Sequence, residues 1–187
     1  MTKEDYEAID RLAARARLRD RAAFSQIVRS MMNKVVALTY RMTNDREAAL
    51  DLAQDTFLAV WESLPSFRGE AGFTTWLYRI ASNKALNFLK KRSLGQTKTR
   101  VESCDQASLK DAPDRHFEER LLRADFLEFM SQLPAQQRLV FELRFYEEMP
   151  FAEIARLMDK SIGTVKTHYR QAVGKLRQYA ADRGWRP

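Results

Sequence analysis

A single cysteine, Cys104, stands in 187 residues, so an internal disulfide and a cysteine-rich zinc site are both excluded, and the thiol content fits a reducing compartment. Histidine is nearly as rare, with His116 and His168 far apart and no ligand set at metal spacing around either. Glycine and proline total only 6 and 5, and no stretch alternates β-branched with polar residues, so little marks a sheet. No apolar run reaches the roughly 20 residues that cross a bilayer. The opening MTKEDYEAID is acidic and polar, unlike a secretory leader, and the expected location is cytoplasmic. No phosphate-binding glycine loop and no nucleophile beside a base are visible, which argues against an enzyme and against a bound cofactor.

What the chain does have is helical periodicity and positive charge. Lys plus Arg number 32 against 25 acids, a net +7, which favours a polyanionic partner and says nothing of fold. Residues 4–18 and about 21–42 read as two helices, the second capped by Asp20 and carrying Phe24, Ile27, Val28, Met31, Val35, Leu38 and Met42 as its apolar stripe. The expected fold is all-α: two small helical domains, residues 1–92 and 118–187, joined by a flexible linker. Residues 93–117 are rich in Ser, Thr, Gln, Asp and Pro, with isolated apolar side chains, as a linker requires. Cys104 lies there, with no electropositive pocket to make it reactive.

Residues 45–92 organise the first domain. Asn44 with Glu47 three residues on marks a helix start. Leu50, Ala53, Phe57, Val60, Trp61 and Leu64 form a buried stripe, while Glu47, Asp51 and Asp55 recur every fourth residue on another face. Pro65 ends the helix and biases Leu64 away from helical geometry. A loop with two phenylalanines and two glycines follows. Thr74 or Thr75 caps the next helix, expected from Trp76 to about Arg92, which holds Arg79, Lys84, Lys90, Lys91 and Arg92 and no acid. Trp76, Tyr78 and Phe88 are interleaved with those cations. Cations contact phosphate and aromatic faces stack unpaired bases, whereas core packing is the simpler role for Trp76 and Ile80.

The C-terminal domain opens with a helix over about 118–133, carrying Leu121, Leu122, Phe126, Phe129, Met130 and Leu133, and a second starts at Pro134 with Leu139, Val140, Leu143 and Phe145 inward. A short helix over 151–158, a turn at Asp159-Lys160-Ser161 and a longer helix to about Ala181 make a helix-turn-helix pattern. Ile154, Ala155, Leu157, Val165, Ala172, Val173 and Leu176 pack it. Ser161, Thr164, Lys166, Thr167, Tyr169 and Arg170 are left facing outward, toward base edges and phosphates.

The string DLAQDTFLAVWESLPSFRGEAGFTTWLYRIASNKALNFLKKR resembles conserved region 2 of a bacterial RNA polymerase σ factor, closest to the extracytoplasmic-function (ECF) type. LPAQQRLVFELRFYEEMPFAEIARLMDKSIGTVKTHYRQAVGKLR resembles region 4 of the same family, through its Leu-Pro, Glu-Ile-Ala and Gly-Thr-Val-Lys pieces. His168 is longer than the side chain usual there, Gln171 and Val173 stand near a usual arginine pair, and Ser161-Ile162 replaces a valine- or proline-containing turn. Phosphate contacts near Gln171 and Val173 are therefore not implied.

The resemblance implies a subunit that directs core RNA polymerase to promoters of a stress or envelope regulon. Asp51, Gln54 and Asp55 would meet the clamp helices of the largest subunit. Phe67, Ala71 and Asn83 would pocket a base of the −10 element. Thr75, Trp76, Tyr78 and Arg79 would open the duplex, and Lys84, Asn87, Lys90 and Lys91 would hold the strand. The helix-turn-helix would read the −35 element beside the polymerase β flap. An anti-σ factor, often membrane-bound in this family, would cover these surfaces. The alternative is a stand-alone helix-turn-helix regulator, which explains 118–187 and leaves the basic aromatic helix without a role.

Overall fold

The computed structural model describes residues 3–69, 72–95 and 125–184, and these are helical with no strand among them. The order is α1 (Lys3–Arg17), α2 (Arg21–Thr43), α3 (Arg46–Ser63), a 3-10 turn (Leu64–Ser66), α4 (Phe73–Ser93), α5 (residues 125–132), α6 (Ala135–Phe145), α7 (Phe151–Met158) and α8 (Ile162–Asp182). Ala71, Cys104, His116, Leu121, Leu122 and nearly all of the expected linker lie outside the described residues.

Helices α1–α4 form the first lobe around Ile27, Met31, Val35, Leu38, Phe57, Phe73 and Leu77, all buried. Asp20 caps α2 as expected, its carboxylate accepting from the Ala23 N–H. The cap of α3 is Asp45, which accepts from the Ala48 N–H, and not Asn44. Asn44 instead adopts the left-handed conformation, φ 51°, that closes α2, with its N–H on the Tyr40 carbonyl. Asparagine tolerates that region, so one short turn ends one helix and starts the next. Leu64 stays helical at φ −57°, ψ −36°, because Pro65 fits the first turn of the short 3-10 segment, where no proline N–H is needed.

Helix α4 begins earlier than its sequence suggests, and neither Thr74 nor Thr75 caps it. The Phe73 N–H donates to the Asp10 carboxylate of α1 at 2.8 Å. A partner 63 residues away thus satisfies an orphan donor at the helix start and places a negative charge at its positive end.

In the second lobe α5, α6 and α8 enclose Phe129, Met130, Leu133, Phe141 and Ala172. Phe145, expected inside, is exposed, and Phe141 four residues earlier is the buried ring. The two lobes are not separate bodies. One apolar cluster runs from α1–α4 into Leu139, Val140, Leu143, Ile154, Ala155 and Leu157 of α6 and α7.

Because Asp10 replaces a local cap, Asp10→Ala should lower the stability of the chain by about 1 kcal/mol, with a fall of a few degrees in thermal midpoint by circular dichroism. An unchanged midpoint would show that water caps α4 equally well.

Candidate functional site

The exposed face of α4 is a stripe at helical spacing. Arg79, Asn83, Asn87, Lys90 and Lys91 are all exposed and fall on one side of the helix. Beside its start lies a cleft of about 550 Å³ bordered by Phe67, Arg68, Trp76, Arg79, Arg156 and Leu157. The Phe67 and Trp76 rings are tilted to one another with centroids 4.8 Å apart, and both are half-buried. A flat apolar wall ringed by three guanidinium groups suits an unpaired base with its phosphate. Asn83 lies one turn beyond Arg79 and does not line this cleft.

Tyr78 departs from expectation. It is 1% exposed, and its hydroxyl donates to the carboxylate of Glu147, from the turn after α6. Burial, and next the Glu147 charge, push its phenol well above the ordinary value. Thr75 likewise donates to Glu153 of α7 at 3.0 Å. In this arrangement neither hydroxyl is available to DNA. Residues of the second lobe hold both.

Helix α3 presents the opposite charge. Asp51, Gln54 and Asp55 are exposed, flanked by Leu58 at 62% exposure and Leu50 at 41%. Leu50 was expected in the buried stripe, but Ala49 takes that place and Leu50 turns outward beside Asp51. The acids of this face are thus bordered by two exposed leucines. Asp55 also sits 3.9 Å from Lys84 of α4, marking the border between the acidic and basic faces. Lys84 is only half-exposed as a result.

In the second lobe, α7 and α8 are joined through Asp159, left-handed at φ 53°, and Ser161, which caps α8 by accepting from the Thr164 N–H at 3.0 Å. Ser161, Thr164, Lys166, Thr167 and Arg170 are exposed along the first turns of α8. Tyr169 is not among them: it is half-buried, its ring near-parallel to Phe141 at 6.1 Å and edge-on to Phe151 at 5.4 Å. An aromatic ring with large apolar area gains more against those two than in water. Gln171 accepts from Gln137 of α6 at 2.8 Å, so it holds the lobe together.

The seam between the lobes is polar as well as apolar. Arg41 of α2 donates from Nε to Glu142 of α6, lies 3.9 Å over the Tyr146 ring and 3.9 Å from Glu147. Arg138 of α6 donates across the seam to the Met42 carbonyl near the end of α2, and on its own side to Ser131 and Leu133 carbonyls. The last carbonyls of a helix lack internal partners and carry partial negative charge, so a guanidinium fits there. Sequence reasoning missed Arg41, Glu142, Glu147, Glu153 and Arg156; the acids at 147, 148 and 153 inside a basic chain were the available signal.

These two lobes match known sequence families. Sigma-70 region 2 matches residues 27–94, and Sigma-70, region 4 matches residues 123–176. The RNA polymerase sigma-H factor of Pseudomonas aeruginosa is 32% identical over 92% of this chain and 95% of its own. The ECF RNA polymerase sigma-E factor of Haemophilus influenzae is 30% identical over 83% of this chain and 86% of its own. The chain belongs to the ECF σ factors of the σ70 family. Among solved structures, CnrH in complex with the cytosolic domain of CnrY superposes with a TM-score of 0.73 at 23% identity, covering 94% of this chain and 98% of that one. The sigma factor RpoE bound to the anti-sigma factor NepR from Bartonella quintana gives 0.66 at 23%, covering 84% of this chain and 96% of that one. Both show the fold. As an ECF σ factor the protein binds RNA polymerase and directs promoter-specific initiation, and the stand-alone regulator is not favoured. The family acts as a non-catalytic regulator.

Glu142 gives the seam a pH signature. It is wholly buried, and one of its carboxylate oxygens has no hydrogen-bond partner among the described residues. Burial pushes its pKa from 4.5 up to about 7, against the pull of Arg41 and Arg138, with Glu147 adding to the rise. The folded chain therefore holds this proton more tightly than the unfolded chain. Its contribution to stability is full below the unfolded value and is lost as pH rises through about 7. Thermal melts of wild type and Glu142→Gln should diverge as pH rises from about 4.5 to about 7, wild type losing ground, and run parallel above that. A pH-independent difference would contradict the assignment.

Proposed function

We propose that the two faces of the first lobe divide the work of initiation. Asp51, Gln54 and Asp55 on α3, with Leu50 and Leu58 beside them, dock on the clamp helices of the polymerase largest subunit. The exposed stripe of α4 is the observation that carries the rest: Arg79, Asn83, Asn87, Lys90 and Lys91 share one helix face next to an aromatic cleft. That face takes the −10 strand once the duplex opens, with Lys84 at its acidic border and a base of the element seated against Phe67 and Trp76. Ala71, in the same loop, belongs to this pocket in the family pattern.

The second lobe reads the −35 element through Ser161, Thr164, Lys166, Thr167 and Arg170 and meets the β flap. Residues 1–92, 93–117 and 118–187 are the working units, the middle one a linker through the RNA exit region. The regulon is one of stress or envelope genes. The chain carries out no chemistry of its own; each flipped base costs a few kcal/mol and each stacked one returns about 1–3 kcal/mol, so the polymerase must hold the open complex. No described helix is long and apolar enough to cross a membrane, which fits work in the cytoplasm. An anti-σ factor as partner is supported by the solved relative bound to NepR.

Two measurements check these roles. Asp51→Arg with Asp55→Arg should weaken binding to core RNA polymerase about tenfold or more, while the thermal midpoint stays within a couple of degrees, because exposed charges contribute little to folding. Equal affinity would remove α3 as the docking face. With core polymerase and a promoter mapped by transcript starts, Arg79→Ala and Asn83→Ala should still form holoenzyme but lose permanganate-reactive thymines at the −10 element. Normal opening by both would remove the α4 stripe from melting.

A further inference from the structure

We propose that the corner between α1 and α2 is a second phosphate-binding surface, which holds the unpaired DNA strand where it leaves the cleft beside α4. The proposal rests on the reading of α4 and its cleft as the −10 site and extends the path of the strand beyond it. The match to region 2 begins at residue 27, so this corner lies outside it.

Residues 11–21 read RLAARARLRDR, in which Asp20 is the only acid. Arg11, Arg15, Arg17, Arg19 and Arg21 are all exposed. Asp20 is already engaged: it caps α2 at the Ala23 N–H and pairs with Arg15 at 2.7 Å. Folding accounts for part of the cluster. Arg15 and Arg17 sit in the last turn of α1, where a cation suits the helix dipole. Arg17 donates to the Phe67 carbonyl and Arg19 to the Trp61 carbonyl, each at 3.4 Å, and Arg19 lies 5.3 Å from the centre of the Trp61 ring. Folding does not account for Arg11 and Arg21. Neither side chain makes a hydrogen bond or ion pair among the described residues. Arg21 is the first residue of α2, where a cation opposes the dipole.

The bond from Arg17 to Phe67 fixes where the corner lies. Phe67 walls the cleft together with Trp76, and Arg68 follows it. The corner therefore meets the cleft on its Phe67 side, while the stripe from Arg79 to Lys91 leaves it on the Trp76 side. A strand lying along α4, with one base against Phe67 and Trp76, carries its following phosphates toward the arginines. Cations grouped with little opposing charge bind such a strand by releasing its counterions. Leu18, 82% exposed at the apex of the corner, offers apolar surface to a sugar or a base among them. Charge alone would suit an acidic protein surface equally; continuity with the cleft selects the strand.

Arg11→Ala with Arg21→Ala leaves the contacts of Arg15, Arg17 and Arg19 in place, and exposed charges contribute little to folding. Holoenzyme assembled from the full chain and core RNA polymerase is titrated against fluorescein-labelled single-stranded DNA by fluorescence anisotropy over a range of salt concentrations. The oligonucleotides are the −10 element alone, from a promoter mapped by transcript starts, and the element extended by a few nucleotides on its 5′ or its 3′ side. The double variant should bind the element alone as wild type does. On one of the extended strands it should bind more weakly, the slope of log affinity against log salt falling by about 1.4, as two lost phosphate contacts on a single strand imply. Arg11→Lys with Arg21→Lys should restore the wild-type slope, because a phosphate accepts either cation. Wild-type slopes on both extended strands, or an equal loss with and without the extension, would overturn the proposal. So would failure to form holoenzyme, which would make the corner a polymerase contact. Arg79→Ala keeps the two readings apart. If it weakens binding of the element alone, failure at the corner leaves the −10 role of α4 standing; if it does not, the −10 reading itself falls.

Discussion

Two guanidinium groups, Arg41 and Arg138, and the buried Glu142 carboxyl meet between the lobes, and the rest of the arrangement depends on their being paired there. Removing an ion from water costs several kcal/mol even after relaxation, so each has to find its partners in the seam. Glu142 finds Arg41, and Arg138 finds the end of α2 and two carbonyls of its own lobe. Such pairs add little net stability but penalise every other docking angle, since a shift of a few ångströms would leave a buried charge alone. Their effect is orientation. With α6 fixed against α2, α7 comes to rest over the start of α4.

That placement sets two acids of the second lobe against the first turns of α4, at Thr75 and Tyr78. The same helix α4 is held at its start by Asp10, bordered by Asp55 and covered by Glu147 and Glu153. Glu147 and Glu153 thus take the Tyr78 and Thr75 hydroxyls, while the stripe from Arg79 to Lys91 stays exposed. The acidic face of α3 points elsewhere and stays exposed. Both the acidic face of α3 and the stripe of α4 are therefore open in this arrangement, and only Thr75 and Tyr78 of α4 are held by the second lobe.

The parts governed by local spacing were legible in the sequence. The stripe of α2, its Asp20 cap, the extent of α7 and α8 and the turn between them follow from residues within a few positions of one another, and all-α architecture follows with them. Errors came where a neighbour in sequence was outbid by one in space. Thr74 and Thr75 have the chemistry of a cap, but Asp10 was placed there by tertiary packing. Tyr78 and Tyr169 looked like surface aromatics among cations, yet each had apolar area better buried and a second-lobe partner to take it. Leu50 and Phe145 fit apolar stripes by period and are exposed, because Ala49 and Phe141 fill the inner positions. The Arg41–Glu142 pair spans 101 residues, and no periodicity reports it. The outward position of Asp51, Gln54, Asp55, Arg79, Asn83, Asn87, Lys90 and Lys91, and of Ser161, Thr164, Lys166, Thr167 and Arg170, was legible because polar and charged residues at helical spacing take the solvent side.

The most direct measurement of the account is a distance between the lobes in solution. A fluorescence energy-transfer pair attached at Ser30→Cys and Gln178→Cys, in a Cys104→Ser background, reads whether α2 and α8 are held together. The account predicts a single short distance in the free chain that lengthens when core RNA polymerase is added. A free chain already at the long distance, or a holoenzyme still at the short one, would contradict it.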